Sequence, residues 1–208
     1  MTRKGPFTTD SPLVLASGSP RRKELLTDLG LDFKVHPSTL DEPAPDEAEL
    51  PLDYVQRMAE MKALDIARGY KTSTVLGADT IVVLGDWIMG KPKDASDALG
   101  MLSALSGRTH QVITGFCIVL PDGSVITKAV QTAVDMRTST TAELKSYIAT
   151  KEPMDKAGAY AIQGIGTFLV SGIRGSYTNV VGLPLTRVLE ILMQWEVVIP
   201  SKSSCALP

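Results

Sequence analysis

Val75-Leu76-Gly77-Ala78-Asp79-Thr80-Ile81-Val82-Val83-Leu84 sets one carboxylate between two apolar runs. Short runs rich in Val and Ile predict buried strands on either side of it. A carboxylate at that point is poorly solvated, and an unpaired charge there is costly. Two readings follow from the stretch itself. Asp79 caps a turn at a strand break, or it does chemistry there. Which holds depends on what the rest of the chain brings to it.

At 208 residues the chain suffices for one domain with a proper core. Its 44% hydrophobic and 21% charged residues argue against disorder. A formal net charge of −2 excludes a broadly basic nucleic-acid-binding surface and leaves room only for a local basic pocket. No apolar run approaches the roughly 20 residues that span a bilayer. The residues before Leu13 include no apolar segment of the signal-peptide kind. Cys117 and Cys205 stand far apart in no metal-type spacing, so a reducing cytoplasm is expected, with neither membrane nor nucleic acid as partner. The expected organisation is an extension over 1–12, one domain over 13–199 and a loose tail over 200–208.

Leu13 to Ala16 reads as a strand. Ser17-Gly18-Ser19-Pro20 then turns into a helix, with Ser19 as N-cap and Pro20 at the first helical position. Arg21 and Arg22 lie in its first turn, where the helix dipole repels cations. Either an anion meets them or they point into water. After a short strand at Phe33 to Val35, Leu40 to Pro45 forms an acidic, proline-stiffened loop containing Glu42. The apolar stripe Val55, Met58, Ala59 and Ile66 predicts a helix over about 52–69. Lys62 falls on that stripe, where it either snorkels out or grips a phosphate.

Gly85 to Lys91 matches the start of a phosphate-binding loop, but Pro92 follows where Ser or Thr is required, so that loop is rejected. Lys91 remains a candidate cation. A helix is expected over 93–106, then a hairpin turning at Pro121-Asp122-Gly123. Thr140 and Glu143 form a capping box opening a helix to Ala149. The Gly- and Ala-rich, charged patch Glu152 to Gly164 suggests close backbone approach to another group. A strand over 168–173 and a last helix from Pro184 through Trp195 complete the chain.

Histidine and cysteine clusters of zinc type are absent, as is a Gly-x-Ser-x-Gly elbow. Gly164-Ile165-Gly166 lacks the third glycine of a dinucleotide site. What remains is carboxylates (Glu42, Asp79, Asp155) and cations (Arg21, Arg22, Lys62, Lys91, Lys156). Hard oxygens suit Mg²⁺ or Mn²⁺, and Arg and Lys suit polyphosphate. Metal-assisted phosphoryl chemistry leads on composition.

Leu15-Ala16-Ser17-Gly18-Ser19-Pro20-Arg21-Arg22, Gly77-Ala78-Asp79-Thr80, Gly90-Lys91-Pro92, Leu105-Ser106-Gly107, Asp155-Lys156-Ala157-Gly158-Ala159-Tyr160, Ile162-Gln163-Gly164 and Asn179 to Leu185 together resemble the Maf family of nucleotide pyrophosphatases. The resemblance implies a mixed α/β fold, with an elongated twisted sheet flanked by helices and a cleft between two lobes. It implies a homodimer that hydrolyses a nucleoside triphosphate between the α and β phosphates with a divalent cation. By that resemblance Asp79 accepts the proton of the attacking water and binds metal, with Glu42 as the second metal carboxylate. Ser17, Arg22, Lys62 and Lys91 hold phosphates. Arg21, Thr80 and Gln163 mark the branch acting on dTTP and UTP. The alternative is a non-catalytic nucleotide-binding regulator of septum formation.

Overall fold

The two apolar runs around Asp79 form one strand, not two. In a computed structural model, which describes residues 5–201, Thr74–Leu84 runs unbroken through the carboxylate. The elements in chain order are β1 (Phe7–Thr9), β2 (Leu13–Leu15), α1 (Pro20–Asp28), β3 (Lys34–Val35), α2 (Pro51–Ala67), β4 (Thr74–Leu84) and β5 (Trp87–Met89). There follow α3 (Ala95–Leu105), β6 (Thr109–Val119), β7 (Val125–Met136), α4 (Thr141–Ala149), β8 (Val170–Arg174), α5 (Tyr177–Val181), α6 (Leu185–Gln194) and β9 (Val198–Pro200). Three 3-10 turns, Glu152–Asp155, Ala157–Ala159 and Gly164–Leu169, fill the stretch between α4 and β8.

The main sheet is mixed, in the order β3-β2-β4-β6-β7-β8, with β5 also pairing to β4. β2 lies parallel to β3 and β4, and the remaining pairs are antiparallel. One edge of β4 pairs with β6 along nearly its whole length. Its other edge pairs with β2 only over Thr74 to Leu76 and with β5 only over Val82 to Leu84. Residues 77–81 therefore have no strand partner on that edge among the described residues. Asp79 is their midpoint.

The same point interrupts the core on both faces of the sheet. On the face of Leu76 and Ala78, one apolar cluster gathers α1, α6 and β2. A second begins at Val82 and takes in α3, α4 and Tyr160. Thr80 lies between them. On the opposite face Val75 belongs to one α2-packed cluster and Ile81 to another, with Gly77 and Asp79 between. A polar pair thus stands where the sheet carries no apolar load.

Helix α2 packs on this face at unusually short range. A Cβ on Gly77 would sit 2.5 Å from the Ala59 carbonyl oxygen, and one on Gly115 would sit 2.2 Å from that of Val55. Gly115 is the cross-strand partner of Asp79. The glycines therefore set the height of the helix above the sheet, because any side chain there would lift it.

The expected capping box holds closely, with Thr140 and Glu143 reciprocally bonded at the start of α4. Gly85-Asp86 turns β4 into β5. Other expectations shift. The strand expected from Phe168 starts at Val170, because Gly164–Leu169 is a 3-10 turn held from outside by Glu152. Phe7–Thr9, in the stretch read as an extension, pairs with Val198–Pro200, and Phe7 packs on the core. Pro200, read as the start of a loose tail, closes that pairing opposite Phe7. The rest of that tail, over 202–208, lies outside the described residues.

Gly115→Ala is expected to destabilise the fold by about 1–3 kcal/mol through backbone overpacking. It should depress activity beyond the loss of folded protein. Urea unfolding and activity per folded molecule check this, and an unchanged midpoint would refute the close-approach account.

Candidate active site

The open edge of β4 floors a cleft of about 680 Å³. Every residue singled out in the sequence lines it: Ser17, Arg21, Arg22, Glu42, Lys62, Asp79, Thr80, Lys91 and Gln163. They come from five separate places in the chain, the α1 start, the acidic loop, α2, β4 with the segment after β5, and the turn at Gln163. Asp155 and Lys156, which the sequence offered as charged candidates without a role, line it too. So do Tyr160, which ends the motif beginning at Asp155, and Ser38 and Tyr54, which no local pattern marked.

On the α2 side, Lys62 Nζ lies 2.8 Å from Asp79 Oδ1 and 2.7 Å from Glu42 Oε1. The Lys62 and Asp79 side chains are 15% and 11% exposed, whereas Glu42 is 53% exposed. Lys62 therefore neither snorkels to bulk water nor stands alone, and its ammonium joins two carboxylates from different elements. Asp79 stays inside a strand because this partner meets its charge. Asp79 Oδ2 accepts no hydrogen bond from a described residue, so one carboxylate oxygen faces the cleft. The two negative charges also reach Tyr54, whose hydroxyl is pushed up from its ordinary value by burial and then by Asp79 and Glu42.

On the other face of β4 the organiser is Arg22. Its Nε donates to the Gly182 carbonyl at 2.7 Å, and Nη1 donates to Ser17 Oγ at 2.9 Å and to the Ala78 carbonyl at 2.8 Å. Nη2 donates to Thr80 Oγ1 at 3.0 Å. These four bonds tie α1, the open edge of β4 and the end of α5 together, and they leave little of the guanidinium for a ligand. Enclosure by protein lowers the Arg22 guanidinium from its ordinary value, against the pull of Asp79. A guanidinium stays charged regardless. Thr80 Oγ1 also bonds Thr114 Oγ1 at 2.9 Å, and Thr114 in turn donates to the Asn179 carbonyl. The Thr80 hydroxyl is thus held within the protein.

The remaining cations differ. Arg21 reaches Asp155 only at 3.8 Å. Lys91 has no ion pair among the described residues. Lys156 Nζ donates to Asp155 Oδ1 at 2.6 Å and to the Glu152 carbonyl at 2.7 Å. Burial works to raise the Asp155 carboxyl, but Lys156 and Arg21 together pull it down and the net shift is downward. At the α1 start, Ser19 occupies the cap position without a side-chain cap bond, so the helix N-terminus opens onto the cleft uncapped. That end, with Arg21 and Lys91, is suited to an anion. No group of three or more His, Cys, Asp or Glu side chains suited to a metal occurs among the described residues. Two carboxylates converging on one cation still suit Mg²⁺ or Mn²⁺, which are commonly held by one or two carboxylates with phosphate oxygens completing the shell.

The family model described as Maf-like protein matches residues 12–195. This chain belongs to the Maf family. It is 50% identical over 99% of its length to a dTTP/UTP pyrophosphatase of Oleidesulfovibrio alaskensis, 95% of which is covered. The same identity holds to proteins of that name in Nitratidesulfovibrio vulgaris (93% of this chain, 92% of the relative) and Alcanivorax borkumensis (88% and 94%). Among solved structures, a nucleoside-triphosphatase / dITP/XTP pyrophosphatase of Mycobacterium abscessus gives a TM-score of 0.47 at 12% identity, over 89% of this chain and 95% of that one.

The two adjacent arginines of this Maf chain should separate in stability. Arg22→Lys keeps the charge but not the fork, and is expected to cost about 2 kcal/mol or more by leaving buried acceptors unpaired. Arg21→Lys should stay within about 0.5 kcal/mol. Equal losses in urea unfolding would contradict the assignment of Arg22 to the floor.

Proposed function

We propose that this chain is a nucleoside triphosphate pyrophosphatase that hydrolyses dTTP and UTP to the monophosphate and pyrophosphate. The observation that carries the reading is the Lys62–Asp79–Glu42 group at the floor of a cleft walled by cations. Identity near 50% to proteins named dTTP/UTP pyrophosphatase, over nearly the full chain, supports the substrate pair.

In this reading Asp79, with Oδ2 turned to the cleft, orients the attacking water and takes its proton. Lys62 holds Asp79 and Glu42 in place and presents positive charge to the phosphate chain. Glu42 and Asp79 would hold the divalent cation, Mg²⁺ or Mn²⁺, which when bound stabilises charge on the phosphoryl oxygens. Arg21 and Lys91, with the uncapped start of α1, receive the pyrophosphate end, where charge accumulates as the bridging bond breaks. Ser17 Oγ accepts from Arg22 and from the Ser19 amide, which leaves its own proton to donate to a phosphate oxygen. Arg22 contributes mainly by fixing Ser17 and Thr80.

Gln163 also lines the cleft, and its amide bonds no described residue, so it is free to pair with a base. An amide both donates and accepts, as does the imide edge of uracil or thymine. The catalytic domain comprises residues 13–199 together with the β1 strand (Phe7–Thr9) that pairs onto them, and acts as a cytoplasmic homodimer, the state that the family resemblance implies. No described helix is long and apolar enough to cross a membrane.

Incubation of UTP with the protein and Mn²⁺ should yield UMP and pyrophosphate, whereas UDP and phosphate would exclude the reading. Asp79→Asn should lower turnover by about 10²–10⁴, the range for a lost general base, while UTP affinity changes little.

A further inference from the structure

The pattern Gly164-Ile165-Gly166 matches no cofactor signature, yet the structure gives both glycines a steric reason. A Cβ on Gly164 would lie 2.6 Å from Glu152 Oε2, and Gly164 has φ +75°. A Cβ on Gly166 would lie 2.4 Å from the Tyr147 hydroxyl. The chain is therefore drawn tightly around one carboxylate and one phenol. Glu152 Oε2 accepts the Ile165 N–H at 2.9 Å, and Oε1 accepts the Gly166 N–H at 2.8 Å. Tyr147 donates to Glu152 Oε1 at 3.0 Å and accepts the Ala161 N–H at 3.3 Å. Gln163 is the middle of the segment 161–166, so its backbone is pinned on both sides by this single pair. Thr167 adds a hydroxyl bond to the Ile162 and Gly164 carbonyls.

We propose that Glu152, acting with Tyr147, is a positioning residue that fixes Gln163 in the cleft wall for reading the base. This rests on the assignment of Gln163 to the base edge made above. The side chain of Gln163 has no hydrogen bond of its own to a described residue, so its placement comes from its backbone. The backbone in turn depends on an acceptor pair that only a carboxylate supplies in full. An amide at position 152 would turn an NH₂ group toward one of the two N–H donors. Burial works to raise the Glu152 carboxyl, but the Ile165 and Gly166 amides, with the Tyr147 hydroxyl and Lys156, lower the net value, as expected of a charged acceptor of N–H and O–H groups. The Glu152 carbonyl also accepts from Lys156, another residue of the cleft wall.

A double-mutant cycle on UTP hydrolysis tests this. Gln163→Ala and Glu152→Gln are each expected to lower kcat/KM about tenfold, the size of one mispaired polar edge, with the loss mainly in KM. The double variant should be no worse than Gln163→Ala alone, because the clamp has nothing left to position. Multiplied losses would mean that Glu152 acts only on general integrity, and would overturn the inference while leaving the Gln163 assignment intact. No effect from Gln163→Ala would overturn that assignment and the inference with it. No effect from Glu152→Gln would overturn the inference alone. Should Glu152→Gln fail to fold, Tyr147→Phe, which removes only the hydroxyl, runs through the same cycle with the same expectations.

Discussion

The close seating of α2 on the sheet is the constraint on which the rest depends. Lys62 can reach Asp79 because Gly77 and Gly115 let the helix backbone come within van der Waals range of β4 and β6. The ammonium in turn lets a carboxylate stand in the middle of a buried strand, where an unpaired charge would be costly. Glycine placement, helix height, strand continuity and a poised carboxylate are one linked arrangement. Such pairs are rarely retained for stability, since a well-packed apolar pair often serves as well. A buried pair at a cleft floor is better explained by the chemistry it permits.

The second element of the design is the gap in strand pairing. A strand edge with free backbone groups usually invites association or is covered. Here Arg22 partly covers it by donating to the Ala78 carbonyl, while its other bonds fix Ser17, Thr80 and Gly182. The result is a rigid floor with different groups on its two sides, carboxylates and Lys62 toward α2, hydroxyls and Arg22 toward α1. The Thr80 hydroxyl beside Asp79 is engaged by Arg22 and Thr114, so it belongs to this floor rather than to the open cleft.

Local signals in the sequence carried most of the elements, and the family motifs picked out residues that line one cleft. The α4 capping box and the place of Lys62 on an apolar stripe needed only neighbouring residues to be read. Continuity of β4 did not announce itself, because the charge that interrupts its apolar pattern is met by Lys62, seventeen residues earlier. The role of Arg22 was hidden for the same reason, as its Nε acceptor at Gly182 lies 160 residues away. Pairing of β1 with β9 joins the two ends of the described chain, and three-residue strands carry no periodicity to announce it. The Gly164 and Gly166 pattern was visible, but its cause is a carboxylate twelve or more residues upstream.

The central claim is that water, held at Asp79 in the gap of β4, attacks the α-phosphorus. Hydrolysis of UTP in ¹⁸O-labelled water, with both products weighed by mass spectrometry, tests it most directly. The account predicts one ¹⁸O in UMP and none in pyrophosphate. Label in the pyrophosphate would place the attack at the β-phosphorus and contradict it.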